Sequence, residues 1–426
     1  MEHTVEITGL AFGGRGVGRI GGKVVFVPFT APGDTARVRI TSEKKSFSEG
    51  ELIELVRPSP ERVAPLCPLF GVCGGCALQH MGYASQVRWK QTIFEETLKR
   101  IGGVAPEFDA PVPSPEAFGY RSRASFHVDK GRWGFYAAGS HRVVDVEDCP
   151  ILSPAVNSAY KGIRQRLSGR LRSLYSVDVG ASGEGGAAAA FHVSGDKGFD
   201  WKGALRGVEG LSGFEVWFSP SKKGKGKRII AEDDSRLVYA AGGLRFEAGI
   251  SVFTQVNRSL NPALMERVVE YAGLSGVEKA VDLCCGAGNL SLPLAKRACS
   301  VTGVEENGAA VDLARKNAEL NSIKNARFIR SDSLGWVQKS IKSLEKEDVD
   351  MVVLDPPRGG DPDVAKALSG LKPRKIIYVS CSPPTLARDV SFLAGCGYRA
   401  FRAGLFDMFP QTYHIESVTG LELSGQ

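Results

Sequence analysis

The chain has no apolar run long enough to span a membrane. Its first residues, "MEHTVEITGL", lack the charged-then-apolar layout of an export signal, so a cytoplasmic location with no membrane partner is expected. It has no internal repeat and no long low-complexity tract. Nine cysteines, an odd number without an export signal, argue against a disulfide framework and for free thiols or ligands. No large excess of one charge is present: the net +7 permits a nucleic-acid partner without demanding one. Nothing in the composition calls for an obligate protein partner. What is there is ordinary for a globular chain, 43% hydrophobic and 24% charged. At 426 residues it exceeds what one core usually supports, so two or three domains are expected.

Residues 1–58 read as a small OB-like β-barrel, because "VEITGL", "KVVFVPF" and "TARVRIT" are short β-branched runs punctuated by glycine turns. The stretch "AFGGRGVGR" contains G-x-G, but no helical pattern follows it, so it is not read as a dinucleotide loop. Its two arginines suit either phosphate contact or a solvated turn. Residues 59–245 hold a cysteine-rich stretch, a helix over "YASQVRWKQTIFEETLKRIG", and strand-like runs with glycine turns, which together suggest an α+β domain. Within it, "SKKGKGKR" (221–228) is either a solvated hairpin tip or a cationic loop for a phosphate backbone. From 246 to 426 apolar strands alternate with helices, the pattern of a doubly wound α/β sheet whose ligands sit at the carboxyl ends of strands.

Those strand ends carry the chemistry. "VDLCCGAGNLSLPLA" (281–295) is strand, G-x-G turn and helix; the glycines admit a ligand to the backbone, and the helix start offers amide donors. "GVEE" then places Glu305 for ribose hydroxyls, "RSD" places Asp332 toward an adenine, and "LDPPRGG" sets Asp355 on a proline-stiffened turn. The combination points to S-adenosylmethionine rather than a dinucleotide. In "YVSCSPPTLARD", Cys381 sits at the next strand end, whereas Cys299 and Cys396 suit inert roles. A thiolate beside a methyl donor suits uracil, whose C5 attacks a methyl group only after a nucleophile adds to C6. Glu416 in "HIESV" is offered as the base for the C5 proton, although on its own it reads rather as a surface or salt-bridge carboxylate.

The stretch "CPLFGVCGGCALQH" (67–80) has three cysteines in fourteen residues. No second C-x2-C pair accompanies it, as a zinc ribbon would favour, and the crowded loop does not resemble a thioredoxin-type redox pair. Spacing leaves both zinc and an iron–sulfur cluster open.

The whole chain resembles the RNA 5-methyluridine (uracil-5-) methyltransferase family, in its iron–sulfur branch with an N-terminal TRAM domain. The resemblance rests on C-x5-C-G-G-C-x2-Q-H (Cys67, Cys73, Cys76, Gln79, His80), "DVEDCPIL", "FTQVN" and the strand-end motifs above, in that order. It implies a TRAM barrel, a central α+β domain with a 4Fe–4S cluster held by Cys67, Cys73, Cys76 and Cys149, and a C-terminal Rossmann-like class I methyltransferase domain. It also implies that Gln255, Cys284, Asn289, Glu305, Asp332 and Asp355 contact S-adenosylmethionine, with Cys381 as nucleophile and Glu416 as proton acceptor. The partner would be RNA; the barrel and the cysteines favour 23S rRNA over tRNA. Two positions depart from the family: Cys284 stands where an aromatic is usual, and Ser382 where asparagine is usual. Competing readings are methylation of an exocyclic amino group, for which D-P-P would serve alone, and a non-catalytic RNA-binding protein with a metal-cluster or zinc-ribbon module.

Overall fold

The computed structural model describes residues 1–183, 185–196, 198–220, 226–233, 235–342 and 349–425. Residues 221–225 of the basic run therefore lie outside the described residues. Among the described residues no helix is long and apolar enough to cross a membrane.

Strands Glu2–Ala11, Arg15–Ile20, Lys23–Pro28, Phe47–Arg57 and Thr35–Glu43 close a barrel in that order. Alternating residues fill it: Val5, Ile7, Val25, Val27, Ala36 and Val38 are buried together. The glycine-rich stretch proves to be a barrel strand. A side chain at Gly16 would run into Thr30 and Ile7, and one at Gly18 into Val5. Arg15 pairs with Glu49 at 2.8 Å and lies over the Phe26 ring. The spacing of these glycines thus reflects a tightly filled barrel.

Seven strands form the central sheet, ordered Lys227–Asp233, Leu211–Phe218, Ala187–Val193, Leu174–Ala181, Arg123–Asp129, Arg132–Tyr136 and Val143–Asp145. Helix Pro154–Leu167 covers one face, where Val156, Tyr160 and Ile163 pack on Phe126, Val177 and Phe191. Ser153 caps that helix and proline stands at its first position, the usual start signals.

The third sheet has eight strands, ordered Ala326–Arg330, Ser300–Glu305, Lys279–Leu283, Met351–Leu354, Lys375–Ser380, Glu416–Leu423, Tyr398–Phe406 and Glu107–Phe108. The first five run parallel, and the strand order reverses between Lys279–Leu283 and Met351–Leu354. Ligands of such sheets bind at that crevice.

Two segments cross the boundaries expected between 59–245 and 246–426. Helix Tyr83–Arg100 puts Ile93, Phe94 and Leu98 against Leu386, Val390 and Leu393 of the third sheet's helical layer, and strand Glu107–Phe108 joins that sheet's edge. Lys90, fully buried, pairs with Asp407 at 2.6 Å, and Gln86 bonds Gln411 at 2.9 Å. Removing one partner of such a buried pair costs about 3–5 kcal/mol, because the other charge is left uncompensated in the interior. The hairpin Arg236–Ala241 and Leu244–Gly249 likewise buries Tyr239 and Phe246 in the third sheet's core. The sequence shows each helix or strand but not which core its apolar face meets.

Candidate active site

Sheet register brings the strand-end residues together. The pair Leu283–Leu354 is the last on its two parallel strands, so Cys284 and Asp355 are the next residues outward. In the antiparallel pair, Ser380 faces Ser417, and Cys381 and Glu416 are the next residues outward on each strand. One cavity of ≈ 690 Å³ results, lined by Gln255, Cys284, Glu305, Asp332, Asp355, Cys381 and Glu416. Seven of the eight residues singled out for cofactor and catalysis therefore share one space. The eighth, Asn289, lines a smaller adjoining pocket with Gln255, Cys284 and Asp355, and it exchanges hydrogen bonds with Asn261 at 2.8 and 3.1 Å.

At one end of the cavity, Glu305 accepts hydrogen bonds from the Gly286 amide at 3.0 Å and the Asn307 amide at 2.8 Å. Its carboxylate thus sets the shape of the G-x-G turn as well as facing the cavity. Asp332 accepts from the Gly335 amide at 2.7 Å, fixing the start of helix Ser333–Lys342. Cys284 occupies the left-handed region at φ 62°, unusual for a residue with a side chain, and its Sγ lies 3.4 Å from Ser333 Oγ. Strained turns of this kind concentrate at ligand sites. Buried Asp282, behind the turn, accepts from Ser291 Oγ at 2.5 Å; burial lifts its carboxyl to about 7, helped by Asp355 and Glu305.

At the other end, three titratable groups crowd together. Burial, followed by the adjacent Glu416, pushes the Cys381 thiol up to about 11, while the Arg358 guanidinium works in the opposite direction. Glu416 is raised well above the carboxylate range by burial and by Asp355, again opposed by Arg358. Asp355 is raised by burial as well. Two carboxyls in one desolvated space do not both ionise readily. Such spread of titration behaviour within a cleft marks a chemical site.

Several lining residues escaped the sequence reading: Arg121, Phe253 and Phe409 on the cavity wall, and Arg358 immediately after the D-P-P turn. Phe253 is 69% exposed at the rim. The arginine within "LDPPRGG" was legible as a cation beside the carboxylate; Arg121 gave no sequence signal, being brought in by the central domain.

Four other cysteines also share a space. Cys67, Cys73, Cys76 and Cys149 line a cavity of ≈ 290 Å³, together with Gln79, Arg121, Arg358 and His414. The first glycine of the pair is explained by its surroundings: the Gly74 amide bonds the Tyr136 carbonyl at 2.9 Å, and a Cβ there would meet Ala138 and Tyr136 backbone at 2.9–3.0 Å. The loop docks edge-on to the central sheet only because that position is bare. The Gln79 carbonyl accepts from the Cys67 amide at 3.0 Å, and Asn157 brackets Cys149 through both its backbone groups. Burial raises the thiols of Cys73, Cys76 and Cys149, the last two to about 11 and about 12. Among the described residues, no group of three or more His, Cys, Asp or Glu side chains is arranged to hold a metal ion.

Comparison with known proteins places this arrangement. Residues 82–424 match the tRNA (Uracil-5-)-methyltransferase family, and residues 2–53 match the TRAM domain. The chain is 34% identical over 433 residues to the 23S rRNA (uracil(1939)-C(5))-methyltransferase RlmD of Alkalilimnicola ehrlichii, covering 99% of this chain and 97% of that protein. It is 36% identical over 428 residues to the protein of the same name from Salmonella choleraesuis, covering 98% and 96%. Among solved structures, the Pyrococcus abyssi tRNA (uracil-54, C5)-methyltransferase in complex with S-adenosyl-L-homocysteine matches with a TM-score of 0.78 and 28% identity, over 98% of this chain and 99% of that one. With its barrel, its doubly wound sheet and its strand-end cavity, the chain belongs to the tRNA (uracil-5-)-methyltransferase family of RNA-modifying enzymes.

Proposed function

We propose that this enzyme methylates C5 of a uridine in 23S rRNA, through a covalent adduct on Cys381. The observation that carries the reading is the meeting of Cys381, Glu416 and Asp355 on one cavity with Glu305 and Asp332. S-adenosylmethionine, when bound, supplies the electrophilic methyl group. Glu305 and Asp332 would hold its ribose and adenine, with Gln255, Cys284, Asn289 and Asp355 around its remaining atoms. The Cys381 thiolate adds to uracil C6, which gives C5 the enolate character to take the methyl group. Glu416 then removes the C5 proton, the C5–C6 double bond re-forms, and the thiolate leaves. Arg358, which favours the anionic forms of both groups, supports the addition.

Ribosomal RNA is favoured over tRNA because relatives matched along nearly their whole length are named for 23S rRNA. Mass spectrometry of RNA from a deletion strain should show one 5-methyluridine missing from 23S rRNA, first sought at the uracil those relatives are named for. Loss confined to tRNA would overturn the substrate reading.

Four thiols around a cavity suit a 4Fe–4S cluster, which spreads its ligands over four iron atoms, better than a single ion, which needs them converging on one point. Cys67, Cys73, Cys76 and Cys149 would hold it, with their protons displaced on binding. Set between the loop and the central sheet, it would fix the RNA-binding surface rather than take part in methyl transfer. Anaerobically purified protein is therefore expected to be brown, and Cys149→Ser to lose most of the iron and acid-labile sulfide. A colourless protein whose folding depends on zinc would refute this assignment.

A further inference from the structure

The thiol cavity and the reaction cavity meet at a wall of two guanidinium groups, since Arg121 and Arg358 each line both. Arg121 is tied back to the Arg123 carbonyl at 3.0 Å. Arg358 is held differently: its Nη2 lies 3.0 Å from His414 Nε2. A guanidinium only donates, so Nε2 accepts and the ring proton sits on Nδ1. Burial, then Arg358, Lys90 and Arg121, hold the His414 pKa down at about 3, so the ring stays a neutral acceptor across the working range.

The ring itself is wedged. It stands edge-on to Phe409 at 5.7 Å and tilted against Tyr413 at 4.2 Å. Behind Phe409, the buried Lys90 donates to its carbonyl at 3.0 Å and pairs with Asp407. The Arg358 backbone is steadied by Thr385 Oγ1, which donates to its carbonyl at 3.3 Å. His414 lines the thiol cavity but not the reaction cavity, so any influence on the chemistry passes through Arg358.

We propose that His414 is a positioning residue, which fixes the Arg358 guanidinium in the wall between the two cavities so that its charge faces Cys381 and Glu416. The charged groups bearing on the Cys381 thiol are Glu416, Arg358 and Asp355, and of these only Arg358 favours the thiolate. A guanidinium released from His414 would swing toward solvent, and the thiol would lose its single favourable charge. The kinetic consequence rests on the reading of Cys381 as nucleophile; the consequence for thiol reactivity does not.

The test is the rate of Cys381 alkylation by iodoacetamide, read by peptide mass spectrometry from neutral to mildly alkaline pH on the protein as purified. His414→Phe, which keeps a ring but removes the acceptor, is expected to slow labelling about tenfold, the effect of one pKa unit on the thiolate fraction. The same variant should lower kcat while leaving the RNA KM unchanged. His414→Gln, whose amide oxygen can accept, should recover most of both. Arg358→Gln should match His414→Phe, and adding the histidine change to it should slow labelling no further. Unchanged labelling in His414→Phe, equal loss in His414→Gln, or additive loss in the double variant would each overturn the proposal. If instead 5-fluorouridine RNA fails to trap Cys381 while labelling still responds to His414, the nucleophile reading fails and the positioning role stands.

Discussion

Replacing Cys381 with alanine is expected to abolish methylation, lowering the rate on the order of 10⁴-fold or more, and to eliminate any covalent adduct with RNA. The reason is chemical. Uracil C5 is too weak a nucleophile to attack a methyl group until something adds to C6, and among the cysteines lining the reaction cavity only Cys381 stands beside Glu416 and Arg358. Cys284, the other thiol on that wall, is raised to about 12 by burial and lies against Ser333, away from the acceptor end. The native protein should form a denaturation-resistant adduct with 5-fluorouridine RNA, because fluorine does not leave C5 as a proton does. Binding of S-adenosylmethionine, measured calorimetrically, should survive in Cys381→Ala, since Glu305 ends one other strand and Asp332 lies just beyond the end of another. Sustained turnover by Cys381→Ala would sink the covalent route and favour methylation of an exocyclic amino group. Failure of the native protein to bind the cofactor would favour a non-catalytic role.

Glu416→Gln should behave differently, stalling after methyl transfer rather than before it. With the C5 proton in place the thiol cannot be eliminated, so natural RNA is expected to accumulate as a methylated adduct on Cys381. Turnover should fall about 10²–10⁴-fold, the usual worth of a positioned base. Glu416 is 3% exposed and raised well above the carboxylate range, which makes it a strong proton acceptor once ionised. Its neighbour Asp355 competes for the same charge, so the glutamine variant should also let Asp355 ionise more readily. Rapid normal product release by Glu416→Gln would remove Glu416 from this role and leave Asp355 as the carboxylate to test.

Much of this site could be read from the sequence because its parts sit at strand ends. A doubly wound sheet aligns the carboxyl ends of its parallel strands, so "VDLCCGAGN", "GVEE", "RSD", "LDPPRGG" and "YVSC" had to converge once the strand pattern was recognised. Glu416 was harder, because its strand is antiparallel and only the register with Lys375–Ser380 brings its first residue to Cys381. Arg121 and His414 were not legible. One is delivered by the central domain, and the other acts through a hydrogen bond between two loops. The glycines of the barrel were ambiguous in another way, since a run that reads as a turn in sequence also suits a strand with no room for side chains. The packing of helix Tyr83–Arg100 on the third sheet's layer was hidden for a related reason: an amphipathic helix announces an apolar face but not its partner.

The attachment of helix Tyr83–Arg100 to the catalytic sheet has a consequence for biosynthesis. Lys90 and Asp407 are separated by 317 positions, and the edge strand Glu107–Phe108 awaits Arg402 and Ala403. As the chain leaves the ribosome, the barrel can close early, because all five of its strands lie between Glu2 and Arg57. The helix that follows emerges with a lysine and an apolar stripe whose main partners, Asp407 and the helix carrying Leu386, Val390 and Leu393, do not yet exist. It must wait, exposed, while the central domain and nearly all of the catalytic domain are translated. The later segment, which carries Asp407, His414 and Glu416, therefore completes the fold and the reaction centre in one step, and a chain terminated before it has neither.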